Sequence, residues 1–438
     1  MELDKTTLSD LSIFTAEEEF SVFNKLNFTR TGLGREQLRI NFTYALQSLD
    51  EIRGVQQTIK FIKEKKQHWP LQINNGTLMV IERFYDATID EIPANPGIMG
   101  TFNYKFFHRD EFSLVKYSAV HCFEFLLGLK RMLEHFLQEK TPAPLRKALL
   151  EIEKTTRNKE FDVLERFKSA DEMPVQQMLQ FTHFLRYNYK VHMYDLLDIY
   201  AQLDAWYGMA EATDQYGLVF PEFVINEQPM VSCKGLYHIL LAEPVAYDVG
   251  LSPESNFLFL TGANMAGKST FIKSMGIAVF LAHLGMGVPA KEMKLTSFDG
   301  LLSNINVVDN IVKGESYFFN EVQRIKTTIM RINNGKKWLI LIDELFKGTN
   351  VQDAMKCSST VIEGLMKIRN SLFILSTHLY EIGEALKQYP NICFRYFETS
   401  VNNEQLAFSY QLQEGISNDR LGYLILKREG VVEMLAKL

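Results

Sequence analysis

Gly262-Ala263-Asn264-Met265-Ala266-Gly267-Lys268-Ser269 fits the spacing G-x-x-x-x-G-K-[ST], with Thr270 directly behind it. That pattern suits phosphate. Glycines let backbone N–H groups wrap an anion, and a helix N-terminus adds favourable partial charge. A lysine placed like Lys268 reaches the β- and γ-phosphates, and a hydroxyl placed like Ser269 holds Mg²⁺. A chance glycine-rich turn is the bland alternative. The setting argues against it, because a short apolar run at 257–260 precedes the loop and a helical pattern at 268–284 follows.

Two more strand ends carry matching chemistry. Trp338-Leu339-Ile340-Leu341-Ile342 is apolar and stops at Asp343-Glu344. Acids at the C-terminal end of a parallel strand sit where such sheets bind ligands. Asp343 is expected to complete a Mg²⁺ shell through water, and Glu344 to orient or deprotonate the attacking water. Acids often merely solvate strand ends, so the weight comes from pairing with the loop. A third apolar run, 372–375, leads through Ser376 and Thr377 to His378. A lone histidine is more often structural, but this position suggests a sensor of the γ-phosphate or of the attacking water. ATP and Mg²⁺ are the ligands these residues imply.

The elements that must hold these groups fall into two textures meeting near residue 230. Before it, apolar residues recur at helical spacing, as in 112–138 and 178–207, and β-branched runs are scarce. Thr141-Pro142-Ala143-Pro144 and Glu172-Met173-Pro174 mark turns between helices, and 71–82 is a candidate extended segment. After 230, short apolar runs alternate with helical stretches at 320–332 and 351–366. That alternation implies a mostly parallel sheet covered on both faces. Residues 392–399 and 406–412 pattern as an antiparallel hairpin turning at Asn402-Asn403. The expected fold class is therefore α + α/β, with a helical domain over 1–230 and an α/β domain over 231–438.

Composition narrows the class further. The chain has 438 residues, 46% of them apolar, and a formal charge of -6, which does not mark a nucleic-acid binder. Cys122, Cys233, Cys357 and Cys393 lie far apart with no C-x-x-C pair, which argues against both a zinc site and a disulfide framework. The N-terminus is charged and polar, and no apolar run is expected to reach the length of a membrane span. A cytoplasmic protein without a membrane partner is the expectation.

The sequence TGANMAGKSTFIKSMGIAVFLAHLGMGVP from Thr261 to Pro289 resembles the ATPase domain of the MutS mismatch-repair family. Asp343-Glu344-Leu345-Phe346-Lys347-Gly348-Thr349 is similar to that family's DEL-G-R-GT, and Ser376-Thr377-His378 to its TH switch. Asp309-Asn310-Ile311-Val312-Lys313-Gly314-Glu315-Ser316-Tyr317-Phe318-Phe319-Asn320-Glu321 is similar to its signature segment. The resemblance implies an ABC-type P-loop ATPase whose signature segment enters the partner subunit's site. Ser316 is thereby implied to meet the γ-phosphate in trans, within a homodimer. Gln413-Glu414-Gly415-Ile416-Ser417 and Gly422 resemble the domain's closing segment, and Val245 and Tyr410 fall where the family sandwiches adenine. Ala263 stands for the family's proline, Phe346-Lys347 for Gly-Arg, Glu315 for arginine and Tyr317 for threonine. None of these changes removes a phosphate or metal ligand.

The first half extends the resemblance to nearly the whole chain. Leu3-Asp4-Lys5-Thr6-Thr7-Leu8 and Leu26-Asn27-Phe28-Thr29-Arg30-Thr31-Gly32-Leu33-Gly34 are similar to the start of the family's helical core, or lever, domain, and 196–212 to its returning helix. On this alignment the lever begins at once, the clamp is absent or vestigial, and no intrinsic reading of mismatches is expected. The resemblance implies DNA as a partner, with Lys60, Lys63, Lys65 and Lys66 as candidate phosphate contacts against the simpler reading of a solvated helix face. The implied function is ATP hydrolysis coupled to dimer and lever movement. Two alternatives are a nucleotide-gated, non-catalytic scaffold and a transporter-type subunit, the latter disfavoured because 314–319 lacks a glycine-rich LSGGQ-like segment.

Overall fold

The computed structural model describes residues 1–306, 317–402, 405–417, 427 and 430–435. In chain order its strands are β1 (Glu222–Phe223), β2 (Val231–Leu236), β3 (Tyr247–Leu251), β4 (Phe257–Thr261), β5 (Glu292–Leu295), β6 (Gly300–Asn304), β7 (Trp338–Asp343), β8 (Ser371–Ser376), β9 (Ile392–Asn402) and β10 (Gln405–Glu414). β4, β7 and β8 are buried at every residue, as apolar runs are when helices cover both faces of a sheet. They form the middle of a six-stranded sheet, β10-β9-β4-β8-β7-β6, which is parallel except for the β9–β10 hairpin. A smaller sheet, β1-β5-β2-β3, was not legible in the sequence. Its short strands alternate buried and exposed residues and carry no continuous apolar run.

Register sets the geometry of the site. Leu260 of β4 and Asp343 of β7 both pair with Ser376 of β8, so the C-terminal ends of the three strands lie level. The loop after β4 opens the helix Lys268–His283, and helices Tyr317–Ile332 and Val351–Leu365 belong to the same unit. The chain is thus mixed α/β with a parallel-rich sheet.

The single boundary expected at 230 differs from the observed division. One compact unit comprises Met1–Lys25, Tyr44–Ile52 and Gln215–Leu438, and the other Leu26–Thr43 and Arg53–Asp214. The N-terminal helix Lys5–Asp10 belongs with the sheet because Asp10, only 2% exposed, is saturated there. Its carboxylate accepts from Ser303 Oγ (2.6 Å), Ile305 N (2.9 Å) and Asn306 N (3.1 Å), with Arg324 3.6 Å away. Asp10→Ala strands those donors and the arginine. It is expected to destabilise this unit by about 3–5 kcal/mol, the usual cost of removing one partner from a buried charged network. Urea unfolding followed by tryptophan fluorescence of Trp338 measures it, and a change under about 1 kcal/mol contradicts the anchoring role.

The helical unit corrects two expectations, on 71–82 and on the length of the apolar runs, and resolves a third into its parts. Residues 71–82 are not extended: Asn74 accepts from Thr77 N and caps the helix Asn75–Asp86. Thr77, Leu78, Ile81, Phe84 and Tyr85 then bury one helical face. The pattern at 178–207 is two helices, Val175–His183 and Lys190–Gln215, joined by the π-helical turn Phe184–Asn188. Helix Arg109–Phe136 is, by length and composition alone, apolar enough to cross a membrane, with a mean hydropathy of 1.2 over an 18-residue window. More than half of that window is buried inside the protein, as in the core helix of a helical bundle.

The candidate phosphate-binding lysines are largely tied down within this unit. Lys63 and Lys66 pair with Asp214 at 3.2 and 2.6 Å, and Lys65 Nζ donates to His135 O and Gln138 Oε1. Lys60 also has a partner. The solvated-face reading fits these contacts better than a row of free cations.

Candidate functional site

At the end of β4 the chain must turn sharply, and Gly262 (φ 141°) and Gly267 (φ 109°) take conformations that side chains rarely adopt. Lys268 follows as the first residue of its helix. The residue is 6% exposed, and its Nζ donates to Gly262 O (2.8 Å) and Ala263 O (2.9 Å). Burial lowers its pKa to about 8, against the pull of Glu344 and Asp343 toward the charged form. Asn264, Met265 and Ser269 are exposed, while Ala266 is buried. Thr270 sits half-buried in the first helical turn, where backbone N–H groups have no intrahelical acceptor.

Asp343, at the end of β7, receives hydrogen bonds from two hydroxyls. Ser269 Oγ donates to Oδ2 and Ser376 Oγ to Oδ1. A serine at a strand end, such as Ser376, carries no sequence signal of a site role. Its place in the register between β4 and β7 is what brings it to Asp343.

Glu344 leaves the strand with φ 62°, and its N–H donates to Ser376 O at 3.0 Å. Its carboxylate is bracketed, with His378 Nε2 2.5 Å from Oε1 and Lys347 Nζ 2.9 Å from Oε2. Burial works against the charged form, but the His378 and Lys347 hydrogen bonds and charges outweigh it and hold the carboxyl at about 2. Behind this, buried Glu321 accepts from Lys347 N (3.2 Å) and Gly348 N (3.4 Å), fixing the loop that carries the lysine. Among the described residues, four of the five non-glycine positions with positive φ are Met265, Glu344, Phe346 and Tyr410. Backbone strain is therefore concentrated at these loops, as it is at sites that constrain ligands.

Tyr410 stands at an irregularity in the β9–β10 pairing and is 40% exposed. It approaches Gly267 together with Phe397 and Tyr247. Tyr247 meets Phe397 edge-on at 5.7 Å. Val245 is half-buried in the segment leading into β3. Ser417 N donates to Thr261 Oγ1 at 2.9 Å, which seats the closing segment against the end of β4. Ser316 and Gly422 lie outside the described residues. A separate polar cleft of about 590 Å³, lined by Asp4, Asp10, Arg324 and Arg331 among others, does not include these groups, and its charges pair with one another.

With this geometry in place, the comparison with known proteins is direct. Residues 258–436 match the family model MutS domain V. The likeness to MutS domain V thus lies in the α/β part of the chain. It is 27% identical over 252 residues to the DNA mismatch repair protein MutS of Petrotoga mobilis (strain DSM 10674 / SJ95). That alignment covers 57% of this chain and 30% of the relative, so the chain spans about a third of the relative's length. The matched region contains every strand end that carries Lys268, Asp343, Glu344 and His378.

Ser376 offers a test separable from fold. If it holds Asp343 ready for Mg²⁺, Ser376→Ala should raise the Mg²⁺ concentration needed for half-maximal nucleotide binding by about 10–100-fold, as loss of a ligand's supporting partner does. A Mg²⁺ titration monitored with a fluorescent nucleotide reads this, and an unchanged midpoint would leave the Ser376 bond without a role in the site.

Proposed function

We propose that this chain binds and hydrolyses ATP at the ends of β4, β7 and β8, and that two copies share each site. The convergence of Lys268, Ser269, Asp343, Glu344 and His378 on one sheet edge supports the reading most directly. Lys268 already donates to two loop carbonyls, and phosphate oxygens would replace them. The all-oxygen set of Ser269 and Asp343 fits Mg²⁺, which would neutralise phosphate charge when bound. Glu344 would orient the attacking water and accept its proton, with His378 holding the carboxylate in place. A base held at about 2 is weak, so the His378 and Lys347 contacts to Glu344 would have to loosen for efficient proton transfer. Tyr410 and Tyr247 would flank the adenine.

The Lys347–Glu344 pair also supports a second reading, in which nucleotide binding gates assembly without turnover. DNA enters the proposal through the family and the named relative, with backbone contacts rather than base reading as its mode. The location would be cytoplasmic.

Subunit mixing tests the shared site. Lys268→Ala chains are combined with Ser316→Ala chains, so that a mixed dimer has one site with both defects and one with neither. ATPase activity should recover above either variant alone. Plain averaging of the two low activities, in dimers shown to be mixed by mass, rules out the trans contact. Absence of turnover in the wild-type chain, with and without duplex, branched and single-stranded DNA, favours the gated-assembly reading.

A further inference from the structure

In the helical unit, His108 ends the helix Ile98–Phe107 and opens the helix Arg109–Phe136. Its Nδ1 stands 3.3 Å from Asp90 Oδ2 and 3.4 Å from Glu111 Oε2. One nitrogen and two carboxylate oxygens thus lie within 4.8 Å of one another. These separations suit a shared ion. Two ligands about 2.0–2.2 Å from a tetrahedral zinc stand about 3.3–3.6 Å apart, because the tetrahedral angle fixes that edge. The remaining edge, between the two carboxylates, can adjust because Asp90 is 68% exposed.

Two neighbouring atoms point the same way. Glu111 Oε2 is buried and accepts no hydrogen bond, although His108 Nδ1 is its neighbour. Tyr104 lies one helical turn before His108, with the two rings stacked at 5.3 Å. Its side chain is 4% exposed, its hydroxyl has no hydrogen-bond partner, and of the nearby carboxylates Glu111 acts on it more strongly than Asp90. Buried polar groups are ordinarily paired, and Tyr104 and Glu111 each leave one such atom without a protein partner near His108.

We propose that Asp90, His108 and Glu111 form a divalent-metal site of the zinc class, with a solvent molecule completing the tetrahedron. A nitrogen ligand and only three protein donors disfavour Mg²⁺ and Ca²⁺, which take sets of six or more oxygens. Solvent on the ion, next to Glu111, would supply the partner that Tyr104 lacks. The site would be structural. It ties the segment 87–97, which carries Asp90, to the first turn of the longest helix, reinforcing a contact that Asp90 N already makes to Glu111 Oε1 at 3.4 Å.

The test uses the full chain, stripped with a chelator and titrated with Zn²⁺ against a chromophoric competitor. One zinc per chain should bind at micromolar affinity or tighter, and Co²⁺ in its place should show the visible bands of a tetrahedral ion. His108→Ala and the isosteric Glu111→Gln should each weaken binding by more than the about 10–100-fold that loss of a mere supporting partner costs. Zinc should raise Tm in the wild type and not in either variant. Circular dichroism checks that the variants are folded, and a Cys357→Ser/Cys393→Ser control should bind as the wild type does. Equal binding by wild type and both variants, or no wild-type binding tighter than millimolar, overturns the proposal and leaves an ordinary ion triad.

Discussion

Glu344→Gln should lower ATP turnover by about 10²–10⁴-fold, the range for loss of a general base, while ATP and Mg²⁺ still bind. The substitution is nearly isosteric and keeps an oxygen that Lys347 can bond, so the loop geometry should survive. What disappears is the negative charge that His378 and Lys347 now bracket. Single-turnover kinetics separate the chemical step from product release, and a fluorescent nucleotide measures binding independently. Wild-type turnover in Glu344→Gln would falsify its assignment as the residue acting on water. A parallel loss of affinity and turnover would instead assign Glu344 to holding the nucleotide.

The second large effect falls on binding. Lys268→Ala removes a buried ammonium, and truncating one partner of a buried charged pair costs about 2–5 kcal/mol. Nucleotide affinity should therefore fall by about 30-fold or more, since each 1.4 kcal/mol is a factor of ten. The same lysine makes wild-type binding pH-dependent in a definite direction. With its pKa lowered to about 8, the free side chain is charged below that pH and neutral above it. Phosphate favours the charged form, so affinity should fall as pH rises through 8, with a proton taken up on binding. Calorimetry in buffers of different ionisation enthalpy measures that proton. Lys268→Ala should show no such dependence between pH 7 and 9.5, and an identical slope in both proteins would remove Lys268 from the phosphate site.

Several parts of this chain were determined by the sequence itself. The apolar runs ending at Thr261, Asp343 and Ser376 are strands, and the loop with glycines at 262 and 267 opens a helix, because continuous burial and positive φ each leave few alternatives. The spacing of Lys268 and Ser269 follows from that loop alone. Local pattern was less decisive in the first half, where 71–82 has β-branched residues yet folds as a helix once Asn74 caps it and one face finds a core. There the packing partner decides, since a short amphipathic stretch is marginal by itself.

Other features needed tertiary structure. Strand order is not written in local pattern, so nothing in the sequence placed β8 between β4 and β7 or put Ser376 on Asp343. The same holds for Tyr247 beside Tyr410 and for His378 on Glu344, whose contacts depend on how separate segments meet. Asp10 shows the limit most clearly. It lies about 290 residues before its partners Ser303, Ile305 and Asn306, and only the folded sheet edge brings their donors to its carboxylate. Periodicity and spacing report what neighbouring residues do to each other. Pairings across hundreds of residues are decided by which surfaces can be buried together, a property of the assembled unit rather than of any segment.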